Sequence, residues 1–151
     1  MDIDKVKNIL IKSGWNEDHH ISTDIIQSVY KKYGFPIFSN VVQILEKLGF
    51  IKIIFFNKKS NKEDYFDFNF EEACKIEAPE RLEEEYNIRT QSQLTVIGTA
   101  YRNYYIIMVD GKNQVYMAYD SLLFKCGNSI EEAIINIVND NEFIEIPYMD
   151  D

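Results

Sequence analysis

The chain is expected to fold as an α+β domain: N-terminal helices, then a mostly antiparallel twisted sheet, then a C-terminal helix packed against it. Three observations predict this. Apolar residues recur at helical spacing through the first third, the period then shortens to that of strands, and the last apolar stripe, from Ile130 to Val138, is helical again. At 151 residues, with 46% hydrophobic and 14% aromatic content, the chain is long and apolar enough to bury a core, and residues 1–151 fit one domain.

Ile3, Val6, Ile9 and Leu10 form the first helical stripe, which Gly14 ends. Ser22 or Thr23 supplies the cap of a second helix carrying Ile25, Ile26, Val29, Tyr30 and Tyr33, with Gly34 as its stop and Pro36 beyond. Ser39 is expected to cap a third helix, with Val41, Val42, Leu45 and Leu48 on one face and Gly49 closing it. Phe50 to Phe56 is β-branched and aromatic and reads as a strand. After a polar turn, Tyr65 to Phe70 alternates, with Phe66, Phe68 and Phe70 on one face.

Asn69 and Glu72 have the spacing of a capping box, so a helix starts near Phe70 and Pro79 interrupts it; Glu80 to Tyr86 continues as an acidic surface helix. Leu94–Ile97 and Tyr104–Val109 read as strands, the second apolar on both faces as a central strand is. Asp110-Gly111 predicts a type I′ hairpin leading into Gln114–Tyr119, with Leu122–Lys125 as a further short strand. Ser129 and Glu132 form a second capping box at the start of the last helix, and an acidic tail with an apolar cluster, Phe143 to Pro147, follows Asp140.

The net charge is −9, unevenly placed: residues 1–62 carry ten lysines against six Asp and Glu, whereas residues 63–151 carry six Lys and Arg against nineteen Asp and Glu. Such a chain repels nucleic acid, which needs clustered cations, and can steer a basic partner toward one side. The N-terminus lacks the uninterrupted apolar run of a signal peptide, and no apolar run is long enough to span a bilayer, so a soluble protein of the cytoplasm is expected. Cys74 and Cys126 are far apart in sequence and read as two buried reduced thiols.

Signs of catalysis are sparse. The sequence has no HExxH, GxSxG, Walker or GxGxxG motif and no calcium loop, and its only histidines, His19 and His20, are neighbours in a polar loop, a poor metal clamp read as two exposed side chains. No cofactor and no metal is expected. Between Glu63 and Glu85 ten Asp and Glu face two basic residues, Lys75 and Arg81. A solvated acidic face lacks the burial that raises a carboxyl pKa for acid catalysis, so this stretch reads either as a solvated helix that docks on the core through the interleaved Phe70, Ile76, Leu82, Tyr86 and Ile88, or as an interface for a basic protein. In the second reading Glu71, Glu72, Glu77, Glu80, Glu83, Glu84 and Glu85 contact the partner and Tyr86 anchors it. Tyr101 and Tyr119 fit either core or interface.

A series of steps along the chain resembles one known group. These are Leu10-x3-Gly14-Trp15, the helix ending at Gly34, Val41 to Leu48 running into Gly49-Phe50, Phe66-Asp67-Phe68, Ile97-Gly98, Val109-Asp110-Gly111 into Val115-Tyr116, and Gly127 before Ser129 to Ile134. In order and spacing, over about residues 5–140, they resemble the SUKH superfamily and its third subfamily of bacterial immunity proteins. Members often carry an arginine a few residues after the Gly-Trp step, where this chain has Asn16 to His20. The resemblance implies a non-enzymatic α+β scaffold that binds and neutralises a cognate secreted toxin, often a nuclease or deaminase, and it transfers no catalytic residue. A regulatory scaffold of cell-envelope or signalling assemblies, as in distant relatives, is the alternative, and an uncharacterised hydrolase a third.

Overall fold

The structure, a computed structural model, describes residues 1–148; the end of the acidic tail, residues 149–151, lies outside them. The first apolar stripe is a 3-10 turn, Ile3–Lys5, followed by α1 (Lys7–Lys12). Gly14 then reverses the chain at a φ of 91°, a left-handed conformation that favours glycine. Behind it Trp15 is buried and its indole N–H donates to the Lys47 carbonyl at 2.9 Å, pinning the loop to α3 (Ser39–Leu48). Between them α2 (Thr23–Tyr33) is capped by Ser22, whose hydroxyl accepts from the Asp24 N–H, and ends at the left-handed Gly34. Ile25 falls off the buried face and is 53% exposed, while Ile26, Val29 and Tyr30 are covered. Ser39 is not the cap of α3: the N–H groups of Val41 and Val42 both reach the Phe38 carbonyl, so the helix begins one residue early, without a side-chain cap.

Six strands follow: β1 (Lys52–Asn57), β2 (Lys62–Asp67), β3 (Leu94–Ala100), β4 (Tyr105–Asp110), β5 (Val115–Tyr119) and β6 (Leu122–Gly127). They pair in sequential order and are antiparallel throughout. β1 and β2 pair over six residues, from Lys52 with Asp67 to Asn57 with Lys62. The second strand thus starts and stops earlier than the alternation suggested. Asp67 Oδ1 accepts the Asn69 N–H, Asn69 Oδ1 accepts the Glu72 N–H, and these two bonds turn the chain into α4 (Phe70–Ile76). Phe66, Phe68 and Phe70 are nevertheless all fully buried, each contributing about 2–3 kcal/mol of apolar burial.

β3 continues to Ala100 and β6 to Gly127, both beyond the limits read from sequence, because pairing across the sheet extends them. The Asp110-Gly111 step does not form a two-residue turn. Asp110 pairs with Gln114 across a three-residue loop in which Asn113, not Gly111, takes the left-handed conformation, at a φ of 68°. Asp110 wins this contest because its Oδ1 accepts the N–H groups of both Lys112 and Gln114.

The segment expected as an acidic surface helix is helical without interruption from Pro79 to Thr90, through α5 (Pro79–Arg81), a π-helical turn (Leu82–Tyr86) and α6 (Asn87–Thr90). Leu82, Tyr86 and Arg89 are buried, so one side of it is sunk into the molecule. The last helix, α7 (Ile130–Val138), starts as its capping box predicts: Ser129 Oγ accepts the Glu132 N–H, and the Glu132 carboxylate reaches back to the Asn128 N–H. It packs on β6 and touches β1, so the sheet curls around it. The apolar tail cluster recrosses the outer edge of β6, where the Ile146 N–H donates to the Leu123 carbonyl at 2.7 Å and Glu145 lies opposite Phe124.

Candidate functional site

In a sequential antiparallel sheet the β1–β2, β3–β4 and β5–β6 turns gather at one end. There they enclose, with the tail, an open cleft of about 920 Å³. Its floor is aromatic: Tyr101, Tyr104, Tyr105, Tyr119 and Phe124. Tyr105 is the hub, 5.2 Å from the Tyr101 ring, 5.7 Å from Tyr119 and 6.3 Å from Phe124, and Tyr104 meets Tyr119 edge to face at 6.0 Å. Lys59, Lys62, Arg102, Asp64, Asp140 and Glu142 also line it, and the Asp140 carboxylate accepts the Lys58 N–H at 2.7 Å, tying the start of the tail to the β1–β2 turn.

The turn that presents these rings is strained. Tyr101, Arg102 and Asn103 are consecutive residues with φ of 53°, 58° and 71°. For non-glycine residues this conformation costs about 1–2 kcal/mol each, and it persists only where the surroundings enforce it. The Tyr101 N–H donates to the Tyr65 carbonyl at 3.0 Å, the Arg102 guanidinium donates to the Glu63 carbonyl at 3.2 Å, and Thr99 Oγ1 lies 2.7 Å from Asn103 Oδ1. Such enforced strain is concentrated at binding and catalytic sites. Burial, with the nearby Asp140 and Asp64 carboxylates adding to it, pushes the Tyr101 phenol well above its ordinary pKa, so it is held neutral as a donor.

The acidic segment supplies a second surface, thinner than its sequence promised. Glu80, Glu83 and Glu84 are exposed, and Glu71 is exposed beside Lys75 at 3.5 Å. Glu72 is half-buried in the first turn of α4. Glu77 is half-buried with its carboxylate on the Ala78 N–H, and burial raises its pKa. Glu85 faces inward to Arg81 at 3.4 Å and Arg89 at 3.7 Å. Tyr86, expected as the exposed anchor, is 1% exposed and donates its hydroxyl to the Asp120 carbonyl at 2.6 Å. The reason is position: Leu82, Tyr86 and Arg89 recur at helical spacing on one face, and that face packs against the β5–β6 hairpin, which Arg81 also clips through Asp120 at 3.1 Å. Since Tyr119 immediately precedes Asp120, the acidic ridge and the tyrosine cleft adjoin at this turn.

The fold takes up both thiols and one of the two histidines. Both thiols are buried; burial pushes Cys74 up to about 12 and Cys126 higher still, away from the thiolate that reacts. His19, expected as freely exposed, is half-buried with Nε2 on the Gly49 carbonyl at 2.8 Å, while His20 is exposed. Among the described residues no group of three or more His, Cys, Asp or Glu is placed to hold a metal, and no helix is long and apolar enough to cross a membrane.

A curled antiparallel sheet, backed by helices and opening an aromatic cleft at one end, defines an α+β domain. The chain belongs to the SUKH-3 immunity protein family, whose model matches residues 3–140. Toxin immunity is therefore the function that membership implies. Neither the curated proteins nor the solved structures yield a match. The matched region ends where the tail begins, so the strap that crosses β6 lies outside it.

The cleft itself was not legible as a site. Tyr101, Tyr104, Tyr105 and Tyr119 are visible as tyrosines near strand ends, but only pairing in the sheet brings the two turns together.

Proposed function

We propose that this protein neutralises a cognate secreted toxin of the nuclease or deaminase class, in the cytoplasm, by binding it without chemistry of its own. Membership of an immunity family over residues 3–140 carries this reading. The exposed tyrosines at the mouth of a rigid cleft support it, because Tyr supplies large contact area at low entropic cost and is enriched among residues that dominate binding. The acidic ridge of Glu71, Glu80, Glu83 and Glu84 steers a basic partner toward that cleft, with Glu72, Glu77 and Glu85 contributing field rather than contact.

The direct test is co-expression with the toxic C-terminal domain encoded by the adjacent gene. Growth should be restored, and one stoichiometric complex should be recovered by affinity capture. Continued toxicity with no complex, or recovery of several house-keeping proteins instead, would refute immunity and favour a scaffold. Reversing Glu80, Glu83 and Glu84 to lysine should slow association roughly tenfold at low salt with little change in dissociation. Glu85 is left out of that set because it faces buried Arg89. Stopped-flow rates that are unchanged at low ionic strength would remove the ridge from the encounter.

A further inference from the structure

Tyr104 and Tyr119 are 65% and 47% exposed, yet they are held edge to face at 6.0 Å by a strained turn on one side and a clipped hairpin on the other. An edge-to-face pair as exposed as this leaves ring surface accessible to solvent, and the negative face of a tyrosine attracts a guanidinium or ammonium. The electrostatic setting agrees. Both rings belong to residues 63–151, with nineteen acidic against six basic side chains, and the acidic ridge with its exposed Glu83 and Glu84 adjoins the Tyr119 end, where Asp120 is already paired with Arg81. The cations that line the cleft come from the β1–β2 hairpin, Lys59 and Lys62, and from Arg102, which turns toward β2, donating to the Glu63 carbonyl at 3.2 Å and lying 4.0 Å from Asp64; the Asp140 carboxylate is on that side too, accepting the Lys58 N–H at 2.7 Å.

From this geometry we propose that the Tyr104–Tyr119 pair is a cation-accepting subsite that takes an arginine or lysine side chain of the toxin. The inference rests on the immunity reading for its partner and adds the point of anchorage. The bound side chain lies over the rings with its charge toward the acidic ridge, and the segment bearing it runs along the cleft. Lys59 and Lys62 then set direction, by repelling a second cation at the β1–β2 hairpin.

The test uses the full chain and a blocked peptide, Gly-Arg-Gly-Arg-Gly, titrated at low salt while the tyrosine ring signals are followed by NMR. Matched peptides carry citrulline, which keeps the shape and loses the charge, or glutamate. Saturable shifts of Tyr104 and Tyr119 are expected with arginine, with affinity at least about tenfold weaker for citrulline. The double variant Tyr104→Ala with Tyr119→Ala should lose the binding, and Tyr104→Phe with Tyr119→Phe should keep it within about twofold, because the ring face and not the hydroxyl makes the contact. Equal binding of citrulline, preference for glutamate, or absence of a saturable shift overturns the proposal. The double alanine variant should also weaken toxin capture. If it captures toxin as the parent does, the subsite fails while immunity stands; if the parent itself captures no toxin, immunity fails and the peptide result still decides the subsite.

Discussion

Gly98→Ala should destabilise the protein by about 3 kcal/mol, near the upper end for overpacking, and lower its melting temperature by roughly 6–12 °C for a domain of this size. Gly98 sits in β3 beside the bulge at Ile97, where β2 and β3 pair over only two positions, Phe66 with Ala100 and Asp67 with Thr99. A Cβ built there meets the Asp67 carbonyl oxygen at 1.9 Å and the Phe68 Cα at 3.1 Å. The obstacle is backbone, so no rotamer change relieves it. Either β2 moves away, or the turn through Asp67 and Asn69 that launches α4 is lost. Thermal unfolding by circular dichroism measures the shift. A melting temperature within a degree or two of the parent would show that β2 and β3 are looser than this packing requires.

Arg89→Met should cost about 3–5 kcal/mol and release the tail, because it keeps most of the volume but leaves several buried acceptors without their donor. The Arg89 guanidinium is buried and donates to the Ser121 carbonyl at 2.7 Å, the Pro147 carbonyl at 3.4 Å and the Ile146 carbonyl. Glu85 lies 3.7 Å away and the Tyr148 ring 4.2 Å away. One side chain therefore ties together α6, the β5–β6 hairpin and the tail. Arg89→Lys should not rescue, since an ammonium cannot reach carbonyls in three directions as the planar fork does. Hydrogen exchange at the Ile146 amide, which is bonded to Leu123, reads tail release separately from global stability. Unchanged protection there, with only a global loss, would mean that the β6 pairing holds the tail without the arginine.

Most of the framework was readable from local signals, and particular residues show why. Ser22, Asn69 and Ser129 each cap the helix that follows, Gly34 stops α2 in the left-handed conformation, and the alternating phenylalanines 66, 68 and 70 all go inside. These signals act through a side chain and a backbone group a few residues away, so neighbours in sequence contain the whole interaction. The misreadings share a cause. Asp110-Gly111 has the composition of a tight turn, but the Asp110 carboxylate caps two amides and enlarges the loop. Glu80 to Tyr86 is helical as read, and of its two readings the docked one holds for Leu82 and Tyr86, which go inside, so the misreading is Tyr86 as an exposed anchor.

By itself the sequence determined the fold class, the order of helices and strands, the acidic balance of the second half and the resemblance borne out by the family match. Only the tertiary structure decided which side chains the candidate surface presents. Antiparallel pairing places the β3–β4 turn beside the β5–β6 turn, so Tyr104 meets Tyr119 fifteen positions away, while the same packing takes Tyr86 out of solvent onto Asp120. Exposure is settled by contacts between residues distant along the chain, and composition at either position carries no record of its partner.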